Sequence, residues 1–436
     1  MRRVKNSLPI GFLKQVIDRL PRGTMSIGAG LLVNGLTAYA FITVSSRGLG
    51  AEAYSPVALL WALSFLLGVG FFLPLEQETA RLVASRISQG SGVGPIIKSA
   101  GGLGLMMAAV LLVTSLFAGR WFIEEFFGGE TLLFVGLLLV VFGLGIAHLV
   151  KGVLAGFGRF SGYARYVIGE GVGRLLLVAV LLVFTSQSAG VYGLAIGFAP
   201  FIGIMFAVVK QKEVFTQGPE AHMGDLSRAL GSLLVASVAT ALVLNVSPLA
   251  VQILANDQQI DESGKFLNAL LVARVPLFFF QAIQAALLPR LSGLIGQDKF
   301  EDMWRELRRL LIVVLGIGFF AVGLLTVVGP ELVKAAFGSE FGVSRLDMFL
   351  LACSSAGLMI VLSLAQALIA CGAQSQMALS WVLGVVMFPV TLSLVNKGLF
   401  FRVEISLVVT VAVSSFSMFG VLKSRLGREG IRLGIR

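Results

Sequence analysis

Two stretches 211 residues apart read almost as one: Ser26-Ile-Gly-Ala-Gly-Leu-Leu-Val-Asn34 and Ser237-Val-Ala-Thr-Ala-Leu-Val-Leu-Asn245. Each lies in an apolar run of membrane length and carries one Asn near its middle. Arg81-Leu82 returns as Arg290-Leu291, and Phe127-Gly128-Gly129-Glu130 returns as Phe337-Gly338-Ser339-Glu340, at offsets of 209 and 210. A near-constant offset across three separate elements marks an internal duplication. A duplicated set of apolar runs restricts the chain to two similar helical bundles in a membrane, the usual build of a carrier whose site lies between its halves. Six runs fall in each unit, so both units enter from the same side and an axis along the membrane normal relates them.

Composition agrees. Of 436 residues, 57% are hydrophobic and only 13% charged, whereas soluble domains carry about 25% charge. Runs of roughly 17 to 25 apolar residues are long enough to cross a bilayer as a helix. Twelve are found, near 24–45, 57–80, 99–118, 131–151, 166–185, 190–209, 229–254, 266–289, 308–328, 346–370, 377–396 and 404–422. The expected fold class is therefore an all-α polytopic membrane protein with twelve transmembrane helices in two six-helix bundles. Residues 1–209 form the first lobe, 210–227 a cytoplasmic linker with Gly218-Pro219, and 228–436 the second lobe with a basic tail. Pro74, Pro200, Pro248, Pro276 and Pro389 fall inside runs and predict kinks.

With the N-terminus inside, the inner segments hold 25 Lys and Arg and the outer loops 7. Both termini are thus expected in the cytoplasm of a bacterial inner-membrane protein. The net charge of +11 reads as this topology signal and as contact with anionic lipid headgroups, not as nucleic-acid binding. Ala38-Tyr39-Ala40 imitates a signal-peptide cleavage site, but the apolar run continues to Val44, which favours an uncleaved span. Residues 9–20 group Leu13, Val16, Ile17 and Leu20 on one face, the pattern of a helix lying in the headgroup plane. Lys299 to Leu310 repeats that design with Phe300, Met303, Trp304 and Leu307. Cys353 and Cys371 read as small apolar residues rather than a disulfide.

No phosphate cradle of the GxxxxGK[ST] type occurs, so the chain is not a nucleotide-driven pump of that kind. The two histidines, His148 and His222, are far apart in sequence, and no metal site is expected. The first outer loop offers a single acid, Glu52, which leaves a membrane enzyme without a visible catalytic set.

Charged groups inside a span cost roughly 2.5 to 3.5 kcal/mol each even on lenient scales, and they mark candidate sites. Arg274 lies about 12 Å below the outer end of the eighth span. It either snorkels to headgroups or faces a central cavity where it can hold phosphate. Glu170 and Arg174 stand four apart in the fifth span, acid first, as a neutralising pair or one that opens for a ligand or proton. Glu76 and Glu78 end the second span where the other repeat has no acid, and Glu78 can pair with Arg81. These acids are the candidates for exchanging a coupling ion, H+ or Na+. Asn34, Asn245, Gln281 and Gln284 offer neutral polar groups, either for a hydroxyl-rich ligand or for interhelical hydrogen bonds.

The first outer loop Ser46-Arg47-Gly48-Leu49-Gly50-Ala51-Glu52-Ala53-Tyr54, the Arg ending the second span, and Leu288-Pro289-Arg290-Leu291-Ser292 ending the eighth together resemble the polysaccharide-exporter flippases of the O-antigen type. That family sits with lipid II flippases and multidrug exporters in one superfamily. The resemblance implies a V-shaped pair of bundles with the first, second, seventh and eighth helices lining a central cavity. It also implies alternating access, and a polyprenyl-pyrophosphate-linked glycan as cargo. It assigns the pyrophosphate to Arg274, with Arg47 and Arg81 at the rims. Ser55, where the family often has Gly, and the acids Glu76 and Glu78, where apolar residues are common, depart from the pattern.

The expectation is a flippase for a lipid-linked saccharide, without a cofactor, driven by a cation gradient or the membrane potential. Substrate contacts fall to Arg274, Arg47, Arg81, Arg174, Asn34, Asn245, Gln281 and Gln284, and ion coupling to Glu78, Glu76 and Glu170. Membrane lipids, and a glycan polymerase or glycosyltransferases, are the expected partners. The alternatives are a cation-coupled exporter of amphiphilic drugs and a non-transporting scaffold for glycan-assembly enzymes.

Overall fold

The computed structural model describes residues 24–184, 188–209, 211, 215–220, 223–256, 259, 261–277, 280, 287, 291, 294–295, 297 and 299–432. The expected interfacial helix at 9–20, and Gln281, Gln284 and Arg290, lie outside the described residues. The described residues form helices and connecting turns, with no strand among them. Inside a hydrocarbon layer every backbone N–H and C=O needs a partner within the chain, and a helix supplies one locally.

The helices are α1 (Thr24–Leu67), α2 (Leu73–Ser88), α3 (Gly94–Phe117), α4 (Thr131–Gly156), α5 (Phe160–Phe184), α6 (Ala189–Val208), α7 (Met223–Leu254), α8 (Glu262–Ala273), α9 (Phe300–Phe337), α10 (Arg345–Ala370), α11 (Gln374–Leu394) and α12 (Leu399–Arg432). Ten helical stretches among the described residues are long and apolar enough to cross a membrane, one of them running from Gly28 to Ser88. That long stretch holds the first two expected spans. Helical geometry continues on both sides of Gly50, and the chain reverses at that residue alone, with φ 77° and ψ 170°. A side chain is strained at such a φ, which is why glycine occupies it. A π-helical turn, Gly68–Phe72, joins α1 to α2 just before Pro74. It absorbs the backbone bond that proline cannot make.

The repeated loop motif reappears as a repeated turn. Phe127 and Phe337 are both buried, and each precedes a glycine with positive φ, Gly128 at 59° and Gly338 at 123°. The second expected surface helix is corrected. Lys299 to Leu310 is not a separate element but the first three turns of α9, a continuous helix of 38 residues. The reason is local: no Gly or Pro interrupts residues 300–315, so the helix runs on for about 57 Å, past a hydrocarbon layer of about 30 Å. Met303 and Leu307 are buried in that extension.

Two packing groups emerge. Helices α1 to α6 pack among themselves, chiefly α5 on α6, α4 on α6, α1 on α5 and α2 on α4. Helices α7 to α12 pack as α9 on α10, α11 on α12, α10 on α12 and α11 on α7. The groups meet through α1 on α8 and α1 and the π turn on α7. The two ends of that junction differ. At the Gly50 end one apolar core spans both groups, with Phe41, Tyr54, Phe127, Phe266, Phe337, Phe341 and Val403 in a single cluster. Toward the opposite end, which carries Arg86, the core splits. Leu75, Val83 and Tyr166 belong to small clusters of the first group, while Val243, Leu307, Trp381 and Met418 form a separate cluster of the second.

The linker segment 215–220 lies on the first group. Thr216 accepts from Gly94 N at 2.9 Å and, through Oγ1, from Val93 N at 3.0 Å. Arg86 Nη1 donates to Pro219 O at 2.6 Å.

Candidate functional site

The junction between the two groups is polar as well as apolar, and the hydrogen bonds that cross it fall along α1 and the π turn that follows. Nearest the Gly50 end, Arg47 donates through Nε to Ala336 O at 2.8 Å and through Nη2 to Ala335 O. The guanidinium thus caps the C-terminal end of α9, where unpaired carbonyls favour a cation. Tyr54 donates to Asn268 Oδ1 at 2.9 Å, both residues being fully buried. The Tyr54 ring meets Phe341 edge-on with centroids 5.6 Å apart. Ser55 Oγ accepts from Gly264 N at 3.1 Å. A Cβ on Gly264 would lie 2.7 Å from that hydroxyl oxygen, so the close approach requires glycine. Deeper in, Tyr39 donates to Leu271 O at 2.9 Å, and Ser237 donates to Val69 O.

Arg274 sits at this junction, directly after α8. Its Nη2 donates to Leu244 O on α7, and its charge acts on the Tyr39 phenol of α1. Its Nε is buried and has no partner. The side chain therefore points between α1, α7 and α8 rather than out to headgroups, with one donor unspent. Asn245, one residue from the carbonyl that Arg274 holds, donates to Ala241 O at 3.0 Å within its own helix. Asn34 lies against α5, and its Oδ1 is buried without a partner.

The remaining sequence candidates lie inside the first group. Arg81 grips Glu78 with both arms, Nε to Oε2 at 2.8 Å and Nη2 to Oε1 at 2.5 Å. Glu76 is more heavily engaged. His148 Nδ1 and Lys151 Nζ of α4 lie 2.8 and 3.0 Å from its Oε2, and Tyr163 of α5 donates to its Oε1 at 2.8 Å. The Lys151 ammonium also sits over the Tyr166 ring, 5.3 Å from its centroid, and Tyr166 interacts with Glu170. Arg174 feels the charge of Glu170, but its guanidinium lies over the rings of Trp61 and Phe41, at 4.6 and 5.3 Å. Such stacking offsets part of the cost of a buried cation.

The structure thus separates residues that the sequence grouped together. Only Arg274, Asn34 and Arg174 retain a buried polar atom without a partner among the described ligand candidates. Arg47 and Arg81 are spent on α9 and on Glu78. His148, Lys151 and Tyr163 were missed, although a His and a Lys three apart inside the fourth span are a readable sign of a buried acid nearby.

No family model matches the chain. Solved structures with the same architecture include an inward-facing multidrug resistance MATE family transporter of the MOP superfamily, with TM-score 0.75 and 14% identity over 90% of this chain and 95% of the other. An outward-facing MATE family transporter gives 0.62 at 14% identity, over 93% and 95%. A Vibrio cholerae MATE transporter gives 0.68 at 14%, over 95% and 98%. Among curated proteins, an uncharacterized protein of Mycobacterium bovis is 26% identical over 367 residues, 82% of each chain. An uncharacterized protein of Mycobacterium tuberculosis is 25% identical over 332 residues, 74% of each. At these identities the likeness establishes the architecture: the chain is a multi-pass helical membrane protein with the two-bundle fold of the MATE transporters.

Proposed function

We propose that the chain is a flippase that carries a polyprenyl-pyrophosphate-linked saccharide from the inner to the outer leaflet by alternating access. The observation that carries this reading is the asymmetry of the junction. One apolar core crosses both bundles at the Gly50 end and divides toward the Arg86 end, as in a carrier closed on one side. With the Lys and Arg bias placing the Arg86 end in the cytoplasm, the closed side is the outer one. The higher TM-score with the inward-facing than with the outward-facing neighbour, 0.75 against 0.62, supports the same assignment.

Arg274 gives the reading its chemistry. A planar guanidinium with an unspent donor, held between the bundles, suits a diphosphate oxygen. Asn34, Asn245, Gln281 and Gln284 would then contact sugar hydroxyls along the route, and an electrochemical gradient of H+ or Na+ would drive the cycle. The gene's deletion is expected to leave lipid-linked glycan accumulating in the inner leaflet. Absence of that accumulation in a strain that makes the glycan would count against the reading.

A cation-coupled exporter of amphiphilic drugs is the second reading, favoured by the multidrug transporters among the structural neighbours. Arg274 discriminates, because a junction cation repels cationic dyes. If expression raises resistance to such dyes and Arg274→Ala raises it further, the exporter reading holds and the flippase reading fails.

A further inference from the structure

Three carboxylates are buried among the described residues: Glu76, Glu78 and Glu404. Glu78 is paired with Arg81, and Glu76 with Lys151 and His148. Glu404 differs from both. It is 0% exposed, and neither of its oxygens has a hydrogen-bond partner.

Its surroundings follow from its register on α12. It stands five positions after Leu399, about 8 Å along the axis. On the same face, Phe400 meets Phe266 of α8 edge-on at 5.2 Å, and Val411 packs against Gly357 of α10, 2.6 Å from where a Cβ would stand. Glu404 therefore lies in the seam of α8, α10 and α12. The other charged groups at this end of the seam hold partners of their own, Arg402 through one arm only. On α10, Asp347 acts electrostatically on Glu404 and is itself held by Ser344 N at 2.8 Å. Before and on α8, Lys265 is engaged by Asp261 at 2.6 Å and Glu262 at 3.6 Å. On α12, Arg402 donates through Nη2 to Leu392 O of α11 at 3.0 Å, while its buried Nε has no partner. Among the described residues no Lys, Arg or His nitrogen lies within 4.0 Å of the Glu404 carboxylate.

A bare carboxylate in such a seam, with a second carboxylate as its charged neighbour, carries a large desolvation cost that nothing offsets. A cation must neutralise it. No group of three or more His, Cys, Asp or Glu suited to a metal ion occurs among the described residues, which points away from a divalent ion. Unpartnered buried hydroxyls stand elsewhere on α8 and α10, on Ser263 and Ser355, and at this point of the seam Glu404 offers a single carboxylate. That chemistry suits a small monovalent ion or a proton.

We propose that Glu404 binds one monovalent cation, a proton or a sodium ion, and that this site in the second bundle, rather than the paired acids Glu76 and Glu78, couples the ion gradient to transport. The coupling role rests on the carrier reading above. The binding itself does not, and it is tested without any cargo.

The test is infrared difference spectroscopy on the purified full-length protein in detergent, with protons and sodium as the probes. Sodium is exchanged for potassium at constant pH, and pH is stepped in sodium-free buffer. The wild type is expected to show a protonated-carboxyl band that sodium or rising pH removes. Removal by sodium identifies a sodium site, and removal by pH alone a proton site. Glu404→Gln should abolish the response, while the exposed-acid control Glu331→Gln should keep it. If Glu404→Gln does not fold, Glu404→Asp identifies the same residue by moving the band. A Glu404-dependent band that neither sodium nor pH alters while the protein stays folded would overturn the proposal, because the acid would be a permanently neutral core group. So would a sodium or pH response that survives unchanged in both Glu404 variants. Either failure leaves the flippase reading standing, since that is judged on cargo.

Discussion

Tyr54→Phe removes one oxygen from the junction and nothing else. In the structure that hydroxyl bonds Asn268 Oδ1 at 2.9 Å, and the Asn268 amide nitrogen already has no partner. Without the hydroxyl, a side chain with 0% exposure keeps neither side-chain hydrogen bond. Leaving a buried polar group unsatisfied costs about 1 to 3 kcal/mol. If the bond exists only while the Gly50 end is closed, the whole cost falls on that state, and its population relative to the opposite state drops by about 5- to 150-fold. Spin labels at Glu52 and Arg345 in a Cys353→Ser/Cys371→Ser background report the opening as a distance distribution by pulsed electron resonance. The expected result is a new long-distance population in Tyr54→Phe. Adding Asn268→Leu, which removes the orphaned amide, should return it toward the parent distribution. An unchanged distribution accompanied by a lower melting temperature would show instead that the bond persists in both states, which then share the cost.

Two further outcomes are expected from the first bundle. Lys151→Met leaves the Glu76 carboxylate, 7% exposed, without its permanent cation. The melting temperature should fall by an amount equivalent to about 3 to 5 kcal/mol, with much of the loss recovered in the Glu76→Gln/Lys151→Met double variant. Gly171→Ala puts a methyl 2.5 Å from Asn34 Oδ1 and 2.3 Å from Thr37 Oγ1, which should cost about 1 to 3 kcal/mol in denaturant or thermal unfolding as α5 is pushed off α1.

The sequence disclosed the scaffold because membrane burial acts through composition and period, which are local. Apolar length located the spans, and the Phe-Gly repeat foretold two turns that prove alike in burial and in backbone sign. What stayed hidden depends on neighbours distant in the chain. The partners of Glu76 come from α4 and α5, 72 to 87 residues away, and only folding brings them together. Glu404 is the first residue of the twelfth apolar run, 404–422, so sequence alone does not place it inside the span. The helix begins at Leu399, and the extra turn carries the acid into the protein. Arg47 was expected to face a ligand at the rim. Its position was legible, but not that the C-terminal carbonyls of α9 come within its reach.

The role of Arg274 is measured by reconstituting the protein in liposomes carrying a polyprenyl-pyrophosphate-linked oligosaccharide and following how much becomes accessible to a membrane-impermeant glycosidase. With an imposed cation gradient, the wild type is expected to move the lipid. Arg274→Ala should slow it at least tenfold, the loss of one charge-assisted bond of about 1.5 to 3 kcal/mol, and Arg274→Lys should restore only part. No movement of the lipid by the wild type, or full activity in Arg274→Ala, would contradict the claim that this guanidinium between the bundles holds the anionic head of the cargo.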